Sequence, residues 1–215
     1  MKKIILLTFF MFAIFAEIFA NPNDSVSTIY KNGEFVSYSQ VAVNASDSIS
    51  NVVINRFVSQ MCYDIDGLFE WGLKGLSLPK EKDELLVFHF KSTNYNKNTG
   101  ILRAIGDVVV PNVTTLNNLY VDSKVIQKTY ADGRRDVSLK LSSENTFLND
   151  MHGVFRFYPK KNKKAAYYTI ETHIKFGWFF DIFVTQKRYK QILEWRILKV
   201  MHNLKEESEK RQKSS

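Results

Sequence analysis

Residues 151–176, MHGVFRFYPKKNKKAAYYTIETHIKF, hold two runs rich in aromatic and β-branched residues, Met151 to Tyr158 and Ala165 to Phe176, parted by Pro159 and the basic turn Lys160 to Lys164. Both read as strands, and the short connection makes them antiparallel neighbours. From Asp181 the apolar period changes: Phe183, Tyr189, Leu193, Ile197, Val200 and Leu204 recur every three, four or six residues, which predicts a helix from about Asp181 to Lys210. A helix of that length takes most of its stability from packing one apolar face. It requires a sheet, and the rest of the chain supplies one.

Upstream, Asn32-Gly33 lies between extended segments, Ile29 to Tyr38, with the returning strand running to about Val43; this is the strongest short-range hairpin signal. Ser46 or Asp47 caps a helix carrying Ile49, Val52, Val53, Phe57 and Met61 at helical spacing. A second short helical piece, Ile65 to Leu76, ends before Pro79. Strands follow at about 85–93, 101–110, 118–130, 135–142, 151–158 and 165–176, with turns at Asn96 to Gly100, Pro111-Asn112, Asp132-Gly133, Asn149-Asp150 and Lys161 to Lys164. Val137, Leu139 and Leu141 alternate with Asp136, Ser138 and Lys140, and phasing the other strands alike gives one apolar face. Its members include Phe88 and Phe90; Ala104, Gly106 and Val108; Val121, Ser123 and Val125; Gly153, Phe155 and Phe157; and Tyr168, Ile170 and Thr172. The opposite face carries His89, Arg103, Asp107, Lys124, Arg156, Glu171, His173 and Lys175. The fold class is therefore α+β: a curved antiparallel sheet of about seven strands, one face wet and the other closed by a long C-terminal helix and two shorter helices.

The first twenty residues stand apart. Lys2 and Lys3 precede the apolar run Ile4 to Ala16, and Ala20 closes the segment before Asn21-Pro22, the pattern of a secretory signal peptide. Periplasmic or secreted localisation follows as an expectation, with a retained membrane anchor as the alternative. Residues 21–33 read as a leader, disordered from Asn21 to Ser27, and a hairpin; 34–211 read as a single domain. Removing Lys2, Lys3 and Glu17 lowers the formal charge from +8 to +7. That excess suits solubility or an anionic membrane surface; no stacking-aromatic and basic pattern points to nucleic acid. The tail from Lys205 to Lys213 mixes in Glu206, Glu207 and Glu209 and reads as a solvated, fraying helix end. The single cysteine, Cys62, allows no intramolecular disulfide and reads as a buried thiol.

The order strand, two helices, six strands and long C-terminal helix resembles the START-like (SRPBCC, Bet v 1-like) helix-grip superfamily over roughly residues 34–210. Gly153 to Pro159, GVFRFYP, resembles the family's penultimate strand, and Gly177 falls at the turn into the last helix. The proline common early in that helix is missing and the N-terminal hairpin is extra. The resemblance implies a cavity between helix and sheet for lipids, sterols, polyketides or other apolar molecules. Since members include carriers, cyclases and hydrolases with differing active sites, it carries over no catalytic residue.

No phosphate-cradling loop, zinc pattern or nucleophile elbow occurs. Glu171 and His173 share a strand face at i, i+2, the outline of a metal edge, but phasing places them on the wet face. No metal and no cofactor are expected. His202 reads as solvent-facing, and Arg56 and Asp64 as helix-surface groups. With no converging acid, base or nucleophile, the expectation is a non-enzymatic binding or carrier protein for a small apolar or lipid-like ligand. The residues expected to line its cavity are Phe88, Phe90, Ala104, Gly106, Phe155, Phe157, Tyr168 and Ile170, where small residues beside aromatics leave room. An envelope interaction protein with a core filled by Trp71, Trp178, Phe179 and Phe180, and a START-like enzyme, stay open as alternatives.

Overall fold

A computed structural model describes residues 24–76, 87–110, 114–144, 148–160, 165–178 and 186–214. The N-terminal export pattern, Pro79, the Pro111-Asn112 and Lys161 to Lys164 turns, and Phe179 to Thr185 lie outside the described residues. The described elements are β1 (Ser25–Lys31), β2 (Glu34–Val43), α1 (Asp47–Tyr63), α2 (Ile65–Trp71), β3 (Val87–Asn96), β4 (Ile101–Val110), β5 (Thr114–Thr129), β6 (Arg135–Leu141), β7 (Leu148–Tyr158), β8 (Ala166–Phe176) and α3 (Gln186–Lys213).

The described strands form one antiparallel sheet of eight, ordered β1-β2-β8-β7-β6-β5-β4-β3. The hairpin turn has Asn32 at φ 56 and Gly33 at φ 79, the left-handed pair a two-residue turn demands. The expected leader is corrected here: Ser25 to Ser27 pair with Gln40 to Tyr38, so β1 is an edge strand and raises the count above seven. Asn149-Asp150 is also not a turn. Both belong to β7, where the register against β8 shifts between Leu148 and Asp150, so turn-favouring residues mark an irregular strand.

Local capping follows the sequence. The Ile49 N–H donates to Ser46 Oγ at 3.3 Å to start α1, and the Gly67 N–H donates to Asp64 Oδ1 at 3.0 Å to start α2. The long helix α3 packs against α1, β1, β2 and β8. Its tail is docked rather than frayed: Ser208 is buried, the Asn44 N–H donates to Glu209 Oε1 at 3.0 Å, and the Ser46 N–H donates to Gln212 Oε1 at 2.7 Å. Backbone donors in the β2–α1 connection thereby gain acceptors that a purely solvated reading of the charges overlooks. His202 is corrected for a like reason, because its side chain is half-buried with Nε2 3.4 Å from Asp24 Oδ2. Arg56 does stay at the helix surface, paired to Glu207 at 2.8 Å. Cys62 is buried, and burial pushes its thiol pKa up.

Candidate functional site

The inward strand positions fall into two apolar clusters. One contains Val41 and Val43 of β2, Ala166 and Tyr168 of β8, Phe155 and Phe157 of β7, with Val137, Val125 and Leu102, under Ile197, Met201 and Leu204 of α3. The other contains Phe35, Val108, Leu141, Leu148 and Phe176 with Tyr189. Leu193 packs against both. Between the clusters the strands present small side chains: Ser37 and Ser39 on β2, Thr172 on β8, Gly153 on β7, Ser123 on β5, and Ala104 and Gly106 on β4. Register aligns them across three strands, with Ser37 opposite Thr172 and Thr172 opposite Gly153; beyond these, Gly153 faces Leu139, Ser123 faces Leu141 and Gly106 faces Leu119. Small residues thus form a strip, a trough in the relief of the sheet, beside the two apolar clusters, and Ser37, Ser39, Gly106 and Ser123 within it are buried.

The helix above shows the same division. Leu193, Arg196 and Val200 are half-buried, while Ile192 to one side and Ile197 and Met201 to the other are buried. At 3.6 residues per turn the first three share a strip near the middle of the buried face. The strip is partly exposed only over this stretch, because Tyr189 one turn before Leu193 and Leu204 one turn after Val200 share it and are buried. The floor agrees, since a Cβ built at Gly153 meets Glu171 O and Thr172 Cγ2 at 3.5 Å each. Both are ordinary contacts within the sheet, and no described α3 atom comes within 4 Å.

The residues expected from the sequence take distinct places around this trough. Phe157 and Tyr168 are fully buried, Phe155 is buried, and Ile170 is half-buried; the rings of Phe155 and Phe157 lie 5.3 and 5.8 Å from that of Tyr168. These four form one wall. Phe90 is half-buried, opposite Gly106 across the β3–β4 ladder, with its ring 5.7 Å from that of Phe69 on α2. Ala104 is half-buried and Gly106 buried on β4. Phe88 pairs with Val108, and its side chain lies outside the described residues. Ser37 and Ser39 are missing from the expected lining, although Phe35-Ser37-Ser39-Val41-Val43 alternates plainly, and so is Arg196. Of the groups expected to fill the core, Trp178 is 68% exposed, and Trp71 packs at the edge of the first cluster with Nε1 donating to Gln60 Oε1 at 2.6 Å.

Polar groups at the trough have readable electrostatics. Burial lowers the Arg196 pKa to about 10, opposed by Tyr189, and burial pushes the Tyr189 phenol far above its ordinary value. Arg196 thus carries positive charge into a poorly solvated strip. The Tyr168 hydroxyl lies 2.7 Å from Ser208 Oγ, tying β8 to α3, and burial raises its pKa although that bond pulls the other way. Thr172 Oγ1 is buried with no hydrogen-bond partner among the described residues. Among the described residues no His, Asp, Glu or Cys takes an inward position on the sheet.

No family model and no curated protein matches the chain. Solved structures similar to it include the di-domain ARO/CYC BexL, at 11% identity and TM-score 0.48 over 82% of this chain and 50% of that one. A STAR-related lipid transfer protein from Xanthomonas axonopodis is similar at 12% identity and TM-score 0.45, over 87% and 99% of the two chains. A norcoclaurine synthase from Thalictrum is similar at 13% identity and TM-score 0.40, over 85% and 98%. The chain spans about half the length of the di-domain proteins. The fold itself is read from the molecule: eight strands ordered with β2 and β3 far apart, two helices between them in sequence, and a long C-terminal helix across the inward face. On that topology the chain has an α+β helix-grip fold.

Proposed function

We propose that this chain is an exported, non-enzymatic binding or carrier protein that receives an apolar or amphipathic, lipid-like molecule between α3 and the sheet. One observation carries the reading: Leu193, Arg196 and Val200 of the helix face are only half-buried between buried Tyr189 and Leu204, and the inward sheet face carries small residues between its two apolar clusters. An acyl chain fits between the walls of Phe155 and Ile170 on one side and Leu119 and Val121 on the other. Arg196 and Thr172 supply polarity for one end, which favours an acidic headgroup, because bonds to a charged group contribute more than neutral ones. Among the described residues the sheet brings no His, Asp, Glu or Cys inward to transform such a molecule.

Uptake of a fluorescent fatty acyl probe tests the proposal. Ala104→Phe and Gly106→Leu place bulk on the trough floor and abolish uptake, whereas Lys124→Ala, on the exposed face, leaves it intact. Arg196→Met weakens an acidic probe about tenfold relative to the corresponding alcohol. If the wild-type protein takes up no probe and carries no extractable lipid, the carrier reading fails and an envelope interaction role replaces it.

A further inference from the structure

The outer sheet face gathers metal-ligating groups at the end where β2, β8 and β7 run side by side. Ligand atoms of Glu34, Asp150 and His152 all lie within 4.8 Å of one another, and His152 Nδ1 is 3.6 Å from Asp150 Oδ2. His173, opposite His152 in the β7–β8 ladder, stacks on it at 4.2 Å and 13°. His173 Nδ1 is 3.4 Å from Glu34 Oε1, and its Nε2 is 3.1 Å from Glu171 Oε1. Glu171 is held in turn by Arg156 at 2.8 Å. Ligands around tetrahedral zinc, at about 2.0–2.2 Å from the ion, stand roughly 3.4 Å apart. The His152–Asp150 pair at 3.6 Å is close to that spacing, and with every ligand atom within 4.8 Å of the others side-chain rotation closes the triangle.

We propose that Glu34, Asp150 and His152 form a binding site for a divalent transition metal of the zinc type, with His173 as the positioning residue for Glu34. One imidazole with two carboxylates suits zinc better than calcium or magnesium, which take oxygen. The stacked His173 ring does not converge on the same point as His152; it fixes the Glu34 carboxylate, as outer partners of metal ligands do. Three protein ligands on a solvent-reached face leave a fourth position for water. Lys175 opposes the site by charge, since it pairs with Asp150 in register, but its stem runs toward the hairpin turn, with Cε 3.9 Å from a Cβ built at Gly33.

The test is titration of EDTA-stripped protein with Zn²⁺ by calorimetry, with Co²⁺ absorption reporting coordination geometry. One ion per chain binds to the wild type and raises its unfolding midpoint. His152→Ala and Glu34→Gln each weaken binding more than tenfold, and His173→Phe weakens it about tenfold or more. Lys175→Met tightens it, and His89→Ala leaves it unchanged. Circular dichroism and the metal-free midpoint establish that each variant is folded; Glu34→Gln, of unchanged shape, serves if His152→Ala unfolds. Absence of stoichiometric zinc binding by the folded wild type, or binding retained in Glu34→Gln with Asp150→Asn, overturns the proposal.

Discussion

Gly153 lies under the centre of the trough, and its lack of a side chain has a cost. Glycine inside a strand costs about 0.5–1 kcal/mol relative to alanine, and a Cβ there makes ordinary contacts at 3.5 Å. Gly153→Ala is therefore expected to raise the urea-unfolding midpoint, while Gly153→Leu, reaching further upward, keeps the fold and loses acyl-probe uptake. A lowered midpoint for the alanine variant would mean that the space is already filled. Titration gives a second check. The Tyr189 and Tyr168 phenols have pKa values raised by burial, so both stay protonated in the folded chain after they ionise in the unfolded one. Their contribution is fully present below the ordinary tyrosine pKa near 10 and is lost as pH rises above it. Denaturation midpoints at pH 9 and pH 11 should show the fall, and Tyr189→Phe should reduce it. Residue identity makes the small floor legible in the sequence, since Ala104, Gly106, Ser123, Gly153 and Thr172 fall in phase. Glu34, Asp150 and His152 are not legible there as a group. Asp150 and His152 share β7 at i, i+2, but Glu34 lies on β2, and only the register through β8 brings it to them.

Among helices and strands, periodicity fixes type and inward face, and it does so here from β2 onward. What it leaves undetermined is the partner of each end. The basic and acidic tail of α3 has the composition of a solvated helix, yet Glu207, Ser208, Glu209 and Gln212 are held by Arg56, Tyr168, Asn44 and Ser46. Such contacts span more than a hundred residues in three of the four cases and leave no local signal. The helix face predicts a graded mutational response. Met201 and Leu204 are fully buried, so truncating Leu204 to alanine should cost about 2–5 kcal/mol. Leu193 faces the trough and is half-buried; its alanine variant should cost less, about 1–2 kcal/mol, and should enlarge the accepted probe. Chemical denaturation of both variants checks this. A larger loss at Leu193 than at Leu204 would place the packed centre of the helix where space is expected.

The chain as a unit joins the trough to a formal net charge of +8, and the proposed export places it outside the cytoplasm. Cleavage after Ala20 is expected, and the mass of the protein recovered from the envelope fraction measures it; a retained Met1 in membranes would convert the apolar run into an anchor. The carrier reading stands or falls on the interior. A crystal structure of the protein soaked with a bromine-labelled fatty acid, with anomalous density locating the halogen, probes that interior without an intermediary. One bromine peak per chain is expected between Gly153 and Leu193, with the carboxylate near Arg196. Leu193 seated directly on Gly153, with no halogen between helix and sheet, would contradict the carrier reading.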